Sequence, residues 1–396
     1  MTTPTLFDLA HTDAPPLDIV SFGAGVESGA YLTEVLTKPD KHGVDPSNMV
    51  VLHAVVGSEF DDTLRDSQRF ILPLLRDRGV RLVQLARRGP RERDGIEILD
   101  DTTRPKVMHH KGPWTLAQHN EVNGITPQLS DRKCSLLFKG WVLDRFILTE
   151  FPGREYTHVI GYNRDEWPRA EKDDVYATQT RDPVHPLIEW NWSRVRCLRR
   201  LYNEFGIIWK KSACSFCPFA GSSASLPALM KRMRRFPDSA VEALLTEYRA
   251  LFFNPRSKMF GRHSLYERLV EDGNTTALQR FERRLNQAQW TVYEVRRLFF
   301  ARKGDPTSKG PGWRSVRTSF TGTRAQAQRW MRTHVGTATD NGGRLWLRGE
   351  EPTKVYPRVE HFIGMTLAGT NDKERPSFAK HWAAITGETL FDSSTL

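Results

Sequence analysis

Residues 17–28 read Leu-Asp-Ile-Val-Ser-Phe-Gly-Ala-Gly-Val-Glu-Ser, and this stretch is the most informative feature of the sequence. A short apolar strand over residues 17–20 breaks into a serine- and glycine-rich loop, and an apolar helix follows over residues 29–36. That order places backbone N–H groups and a helix N-terminus where a phosphate can sit. The stretch therefore predicts a nucleotide site. The alternative is a strand-to-helix turn that holds no ligand.

The spacing within the loop excludes two common phosphate motifs. No lysine follows the glycines, so the loop is not an ordinary P-loop, and Ser28 stands where a dinucleotide-binding loop has its last glycine. Gly23 and Gly25 allow positive φ and close backbone approach. Ser21 and Ser28 supply hydroxyl donors, and we expect Ser28 to cap the following helix.

The segments after the loop predict an α/β fold with a doubly wound, mostly parallel sheet. Residues 49–56 form a continuous apolar run typical of a buried parallel strand, and residues 80–85 and 156–161 read as further strands. Helical patterns lie between them, which favours a layered α/β arrangement. Residues 86–131 contain several prolines and are expected to be irregular.

The pattern divides the chain into four parts. Residues 1–16 are expected to be a flexible arm, and residues 17–222 a nucleotide-binding domain that also contains the cysteines. Residues 223–302 read as a basic helical region, and residues 303–396 as a small α+β accessory domain. The glycines and prolines of residues 303–312 predict a linker or exposed loop between the last two parts.

Charge is unevenly distributed along the 396 residues, whose net charge is +11. From residue 221 onward, 29 lysines and arginines face 17 aspartates and glutamates, so the C-terminal half holds the excess. Concentrated positive charge indicates a polyanionic partner such as DNA or RNA, although a solvated basic surface is the alternative. No transmembrane run or secretory signal is evident, so we expect a cytoplasmic protein with no membrane partner.

Two of the four cysteines form the pair Cys214-Ser-Phe-Cys217, and Cys134 lies about eighty residues earlier. In a cytosolic chain this spacing suggests metal or redox chemistry. Tetrahedral sulfur sites suit either zinc or iron–sulfur, and spacing alone does not separate them. Cys197 is either a further ligand or a buried free cysteine on the apolar face of a helix.

The loop resembles the PP-loop of the adenine-nucleotide alpha-hydrolase-like superfamily, with the pattern Ser-Gly-Gly-x-Asp-Ser. The variant Ser-Phe-Gly-Gly-Gly-x-Asp-Ser of the phosphoadenosine phosphosulfate reductase family is the more similar form. Here Ala24 stands in place of a glycine and Glu27 in place of the aspartate. The resemblance implies a HUP-type PP-loop fold that binds ATP with Mg²⁺ through loop residues Ser21, Phe22, Gly23, Gly25, Glu27 and Ser28.

Two further segments are similar to the same family. The second strand ends in Gly57-Ser58-Glu59-Phe60, which resembles the family's Gly-x-Glu-x stretch beside the nucleotide. The segment Gly161-Tyr-Asn-Arg-Asp-Glu-Trp-Pro-Arg169 resembles its Gly-x-Arg-x-x-[Glu/Gln]-Ser-x-x-Arg segment. The resemblance implies that Glu59 and Arg164 contact the nucleotide and that Arg169 and Lys139 contact a phosphate or the substrate. Trp167 replaces a small residue of the family, and the alternatives are an acidic helix start and a charged surface loop.

The cysteine spacing resembles that of adenylylsulfate reductases, which bind a [4Fe–4S] cluster through a Cys-Cys pair and a distant Cys-x-x-Cys. Lys133 occupies the place of the first cysteine, so this chain keeps Cys134, Cys214 and Cys217. Three cysteine ligands with an open iron are the arrangement of related tRNA thiolation enzymes. The resemblance therefore favours a [4Fe–4S] cluster over Zn²⁺.

The reductases' C-terminal cysteine is missing, because no cysteine follows Cys217. The thiol that attacks a sulfonucleotide in those enzymes therefore has no counterpart. The sequence predicts an ATP-dependent sulfurtransferase that adenylates a nucleic-acid acceptor, with Glu27, Cys134 and Cys217 as catalytic residues and a sulfur-donor protein as a partner. The alternatives are an adenylylsulfate or phosphoadenylylsulfate reductase, and a non-catalytic nucleic-acid-binding or defence component.

Overall fold

The computed structural model describes residues 15–129, 133–336, 343–349 and 355–388, so the expected arm over residues 1–16 lies almost wholly outside the described residues. The strands are β1 (Leu17–Ser21), β2 (Met49–Ala54), β3 (Arg81–Arg87), β4 (Ile96–Thr102), β5 (Tyr156–Ile160), β6 (Arg181–Val184), β7 (Trp290–Arg302), β8 (Asp305–Gly322), β9 (Arg344–Arg348), β10 (Arg358–Leu367) and β11 (Lys373–Glu374).

The helices are α1 (Val26–Thr37), α2 (Pro39–His42), α3 (Asp61–Asp77), α4 (Leu116–Asn123), α5 (Lys133–Ser135), α6 (Trp141–Glu150), α7 (Trp167–Asp174), α8 (Pro186–Glu189), α9 (Arg194–Phe205), α10 (Leu226–Arg235), α11 (Pro237–Phe253), α12 (Leu265–Glu271), α13 (Thr275–Gln287), α14 (Arg324–Val335) and α15 (Phe378–Thr386). A π-helical turn, Leu136–Gly140, joins α5 to α6. Within the described ranges, none of these helices combines the length and apolar character needed to cross a membrane.

The chain forms two compact units. The first contains Met1–Leu116 and Asp131–Ser215, and the second contains Ala117–Ser130 and Phe216–Leu396. The four-part division expected from the sequence stays a prediction.

The first unit is built on a six-stranded sheet in the order β4-β3-β2-β1-β5-β6. Every neighbouring pair is parallel except β3 with β4. The chain moves outward from β1 through β2 to β3, and later continues on the other side through β5 and β6. The prediction of an α/β fold with a mostly parallel sheet is therefore confirmed, and the strand order reverses at β1, where ligands bind in such sheets.

Alternate residues of the strands pack against helices on the two faces of this sheet. On one face, Val51 and Leu82 lie in a core cluster that also contains Leu32 of α1 and Leu201 of α9. On the other, buried residues of the same strands pack against α6. All six residues of β2 are buried, which explains why that strand reads as an unbroken apolar run.

Two local expectations are wrong. The expected irregular segment over residues 86–131 contains β4 and α4. β4, with the sequence Ile-Glu-Ile-Leu-Asp-Asp-Thr, was not predicted because an edge strand that is only partly buried lacks a clear apolar pattern. The expected helix cap is also displaced, since α1 begins at Val26 with Gly25 as its N-cap and Ser28 lies inside the first turn.

The second unit contains a five-stranded sheet in the order β11-β8-β7-β10-β9, whose pairs are antiparallel. The expected linker over residues 303–312 is wrong, because β8 begins at Asp305 and pairs with β7 in a hairpin that turns at Gly304. The glycine and proline residues in the first half of this strand give it the composition of a loop. Phe252 and Phe253 of α11 pack against one face of the sheet, and Trp382 of α15 belongs to a separate core cluster.

Gly161, directly after β5, lies against the first turn of α1. A Cβ there would come within 2.9 Å of the Ser28 nitrogen and 3.1 Å of its Cα. We expect Gly161→Ala to lower the free energy of unfolding by about 1–3 kcal/mol, because backbone atoms must shift to admit the methyl group. Urea unfolding followed by circular dichroism measures this change. Gly23→Ala is the matched control, because a Cβ there meets no atom within 4 Å. Equal stability losses in both variants would contradict the close approach.

Candidate functional site

Two carbonyl groups of the loop between β1 and α1 accept hydrogen bonds from side chains that follow α9 in the chain. Ser212 Oγ donates to the Gly23 carbonyl at 2.9 Å, and Trp209 Nε1 donates to the Ala24 carbonyl at 3.4 Å. The N-cap residue Gly25 has no side chain to accept from the first turn of α1. The N–H groups of that turn are thus uncapped by a side chain, and a helix N-terminus of this kind favours an anion.

Ala24 has a left-handed backbone, with φ at 53°. A residue with a Cβ adopts this conformation at a cost of about 1–2 kcal/mol, which glycine avoids. The side chain is nevertheless fully buried in the core. The loop thus keeps the turn that a glycine would favour, although alanine stands there.

Ser21, at the end of β1, is oriented by a chain of hydrogen bonds. Arg181 Nε donates to His158 Nδ1 at 3.0 Å, which makes Nδ1 the unprotonated nitrogen of the ring. His158 Nε2 then carries the hydrogen and donates to Ser21 Oγ at 2.9 Å. Asp173 holds Arg181 by two contacts of 2.9 and 3.1 Å. Because Ser21 Oγ accepts from the histidine, its own hydrogen is directed to another acceptor.

Glu27 lies in the first turn of α1, where a negative charge is favoured by the helix dipole. Its Oε1 accepts from Asn163 Nδ2 at 3.3 Å and forms an ion pair with Arg194. The carboxylate is largely buried, with 15% of its side chain exposed. The negative charge of Glu27 is therefore neutralised by an ion pair within the protein.

The segment after β5 forms a 3₁₀ turn, Arg164–Glu166, capped reciprocally by Asn163 and Glu166. Arg164 is half exposed and contacts Asp165. Arg169 pairs with Glu166, and its guanidinium lies 4.5 Å from the centre of the Tyr162 ring. Both arginines predicted to contact phosphate are therefore engaged with neighbours of their own segment.

Three of the predicted residues, Glu59, Lys139 and Cys214, lie together after the carboxyl end of β2. Its backbone forms an isolated antiparallel bridge with Cys214, and its carboxylate lies 3.7 Å from Lys139 Nζ. The side chain is nearly inaccessible, at 5% exposed. His110 Nε2 donates to the Glu59 carbonyl at 3.0 Å and lies 3.2 Å from a carboxylate oxygen of Asp61. A buried carboxylate with a lysine partner thus adjoins one predicted metal ligand.

The remaining cysteines occupy different environments. Cys197 is fully buried in the core cluster beneath α1, and burial together with the charge of Glu27 raises the pKa of its thiol to about 12. Cys134 is half-buried in α5, and Cys217 is the N-cap of a 3₁₀ turn in the second unit. Among the residues that the structure describes, no three histidine, cysteine or acidic side chains are grouped so as to hold a metal ion.

Sequence reasoning missed several side chains of the loop's surroundings. Asn163 could have been found, because Asn-x-x-Glu is a helix-start signature. His158 could have drawn attention as a polar residue within an apolar strand. Arg194, Trp209 and Ser212 had no local signal, since their roles arise from tertiary contacts with the loop.

Comparison with known proteins adds no assignment. The chain matches no protein-family model, and no curated protein or solved structure shows significant similarity to it.

The chain of hydrogen bonds at Ser21 predicts a pH dependence of stability. Burial, reinforced by Arg181 and His185, lowers the pKa of His158 to about 3 in the folded protein, against about 6.5 when unfolded. The unfolded state therefore binds more protons between these values, and stability falls as the pH drops below about 6.5. We expect wild type to lose about 1.2 kcal/mol more than His158→Gln between pH 6 and 5.

Urea unfolding of both proteins at pH 7.5, 6 and 5 measures this difference. His334→Gln is the control, because that histidine is exposed on α14 and should leave the pH slope of wild type unchanged. Parallel pH profiles for wild type and His158→Gln would show that His158 is not held neutral in the folded state.

Proposed function

We propose that this chain is a PP-loop enzyme of the HUP type that uses ATP to adenylate an acceptor, releasing pyrophosphate. The observation that supports it most directly is the position of the loop over residues 21–28. It leaves the carboxyl end of β1 where the strand order reverses, and it leads into a helix N-terminus without a side-chain cap.

The loop offers the donors that a triphosphate needs. The backbone N–H groups of the first turn of α1 supply several, and the Ser21 hydroxyl supplies another, since His158 already donates to its oxygen. Space for close approach exists at Gly23, where an added Cβ would meet nothing within 4 Å. Phe22 and Ser28 are buried, so in this proposal they shape the loop from within.

Glu27 and Glu59 are the carboxylates that would hold Mg²⁺ beside the phosphates, because oxygen ligands of this kind suit that ion. The bound ion would neutralise charge on the phosphate oxygens. Glu27 is paired with Arg194, so its release toward the ion requires that this pair rearrange. Arg194 is 40% exposed and would then be available to the phosphates itself.

In the proposed reaction, an oxygen of the acceptor attacks the α-phosphorus of ATP. A new phosphorus–oxygen bond forms and the bond to the β-phosphate oxygen breaks, which releases pyrophosphate. The outer sulfur of a persulfide on Cys134 or Cys217, supplied by a sulfur-donor protein, then attacks the adenylated acceptor; a sulfur–acceptor bond forms, the bond to the AMP oxygen breaks and AMP leaves. An external thiol next attacks the cysteine sulfur and breaks the S–S bond, which releases the thiolated acceptor and leaves a disulfide. The acceptor is proposed to be DNA or RNA because of the positive charge of the C-terminal half.

The proposed adenylation does not depend on the metal that the cysteine spacing predicts. The described residues do not form a three-ligand group, so we derive no step through an iron–sulfur cluster or zinc. A [4Fe–4S] cluster, with Zn²⁺ as the alternative, remains the hypothesis from cysteine spacing.

One observation favours a second candidate. The ion pair between Glu27 and Arg194 occupies the carboxylate on which turnover would depend. A chain that keeps the fold and binds nucleic acid without turnover, in a regulatory or defence role, would tolerate such a pair.

Gly23→Ala tests the nucleotide site. We expect its stability to stay within about 0.5 kcal/mol of wild type, while its affinity for ATP–Mg²⁺ falls at least tenfold because the methyl group blocks phosphate approach. Isothermal titration calorimetry measures binding, and a coupled assay measures pyrophosphate release with and without DNA or RNA.

The control is Gly43→Ala, a glycine outside the loop that likewise has open space at its Cβ and differs in its positive φ. It should lose some stability and no ATP affinity. ATP binding without pyrophosphate release under any condition would favour the non-catalytic candidate. Sulfite release from a sulfonucleotide would instead establish the reductase alternative.

Metal content tests the cysteine hypothesis. Anaerobically purified wild type should show iron–sulfur absorption and a matching iron content, and Cys214→Ser should lose both. Cys197→Ala should keep them, because that thiol is fully buried in the apolar core. A colourless protein with one zinc would remove the iron–sulfur hypothesis, and equal metal loss in both variants would make Cys197 a ligand.

A further inference from the structure

One face of the sheet in the second unit presents a group of cations. The basic face is defined by six residues of this unit: Arg256, Arg297, Lys309, Arg314, Arg344 and Arg358. Two of these, Arg297 of β7 and Arg314 of β8, are paired on neighbouring strands, and Arg297 is also paired with Glu360 of β10. Side chains at paired positions lie on the same face of a sheet, so the two arginines and the carboxylate form one row.

Two arginines of the basic face donate hydrogen bonds to backbone carbonyls within the second unit. Arg297 donates to the Phe253 carbonyl at 2.8 Å, and Arg344 donates to the Leu251 and Phe252 carbonyls at 2.6 Å each. These carbonyls form the C-terminus of α11, where a helix dipole favours cations. Arg297 and Arg344 are therefore structural members of the basic face.

The carboxylate of Glu360 is shared. It lies 2.7 Å from Arg297 and also pairs with Arg358. Within the part of the chain that the structure describes, Glu360 is the carboxylate whose charge acts on Lys309 and Arg344 as well. One negative charge thus serves a row of cations, and the face keeps a positive excess.

Repulsion among these cations is visible in their proton affinities. Burial, with smaller contributions from Arg314, Arg344 and Arg358, lowers the pKa of Arg297 to about 10 against the opposing effect of Glu360. The pKa of Lys309 is likewise lowered, first by burial and then by its cationic neighbours. Cations held together in this way gain free energy when an anion binds between them.

Lys309 and Arg314 form the accessible part of the basic face. Both side chains are exposed, and Lys309 Nζ lies 3.9 Å from the centre of the half-buried Phe299 ring. Arg256, in the loop after α11, is also exposed and acts on Lys309. Exposed cations beside an aromatic ring are the combination with which proteins follow a nucleic-acid backbone.

We propose that the basic face binds the phosphate backbone of a nucleic acid, with Lys309, Arg314 and Arg256 as the phosphate contacts and Arg297 and Arg344 as their fixed support. The occupant follows from charge complementarity, since a chain of phosphates supplies repeated negative charge along the row. Backbone contacts of this kind position a nucleic acid without reading its sequence. The inference deepens the proposed function by locating its acceptor, and its binding test needs no ATP.

The test compares two double variants of the full chain that each remove two positive charges. Lys309→Gln with Arg314→Gln alters the basic face, and Arg329→Gln with Arg332→Gln removes two exposed arginines from α14. The probes are a fluorescein-labelled 30-nucleotide DNA strand, its duplex and the RNA of the same sequence. Fluorescence anisotropy at several salt concentrations gives the affinity and its salt dependence, and thermal unfolding checks that each variant is folded.

The first double variant should bind roughly 10- to 60-fold more weakly at 0.1 M salt, with a salt slope smaller by about 2. The α14 variant should change affinity by less than about threefold. Equal losses in both variants, or no loss in the first, would overturn the inference.

Pyrophosphate release separates this inference from the proposed function. If the first variant loses binding as expected while wild type never releases pyrophosphate from ATP, the basic face stands and the catalytic proposal fails. If wild type releases pyrophosphate and the variant binds normally, the catalytic proposal stands and the acceptor is held elsewhere.

Discussion

The close approach of α1 to the end of β5 is the constraint on which the candidate site depends. Gly161 has no side chain, so the backbone of Glu27 and Ser28 can lie directly against it. The same helix turn is fixed from the loop side by Trp209 and Ser212, which hold two loop carbonyls. With the carbonyls occupied, the amide groups of the turn are the part of the backbone left to meet a ligand.

Ala24 and Glu27, the two positions at which the loop differs from the PP-loop pattern it resembles, fit this arrangement in different ways. Ala24 keeps the left-handed turn at a conformational cost, and the burial of its methyl group offsets part of that cost. Glu27 keeps a negative charge in the first turn, but its longer side chain reaches Asn163 and Arg194. The first departure therefore concerns stability, while the second concerns the charge that an incoming phosphate would meet.

The sequence predicted those parts of the fold whose signal is local. β2 is buried along its whole length and reads as a continuous apolar run, and β1 runs directly into the glycines of the loop. β4 and the first half of β8 were not predicted, because an edge strand and a glycine-rich hairpin arm lack an apolar pattern.

In the candidate site, too, residues with a local signal were predicted, and contacts between distant segments were not. Glu59 follows a strand and was found from that position, whereas its contacts with Lys139 and Cys214 join segments some eighty residues or more apart in sequence. His158 and Arg194 act on the loop only through the folded arrangement of β5 and α9. Local patterns can identify a residue type at a strand end, but they cannot identify the partners that the side chain contacts in the folded protein.

A net charge counted from the sequence also does not separate cations that are paired within the fold from cations that a partner can reach. In the first unit, burial alone would raise the pKa of Glu34, yet Arg200, Lys41, His42 and Lys38 together hold it well below its usual range. Those cations are thus committed to one buried carboxylate. In the second unit, Arg249, Arg297 and Arg344 donate to backbone carbonyls and are equally committed. The net charge of the C-terminal half therefore overstates what a partner can use. The basic face differs because exposed cations stand beside the committed ones, and Glu360 acts on exposed Lys309 as well as on Arg297 and Arg344. The cations there outnumber this carboxylate, so an added anion meets a positive field.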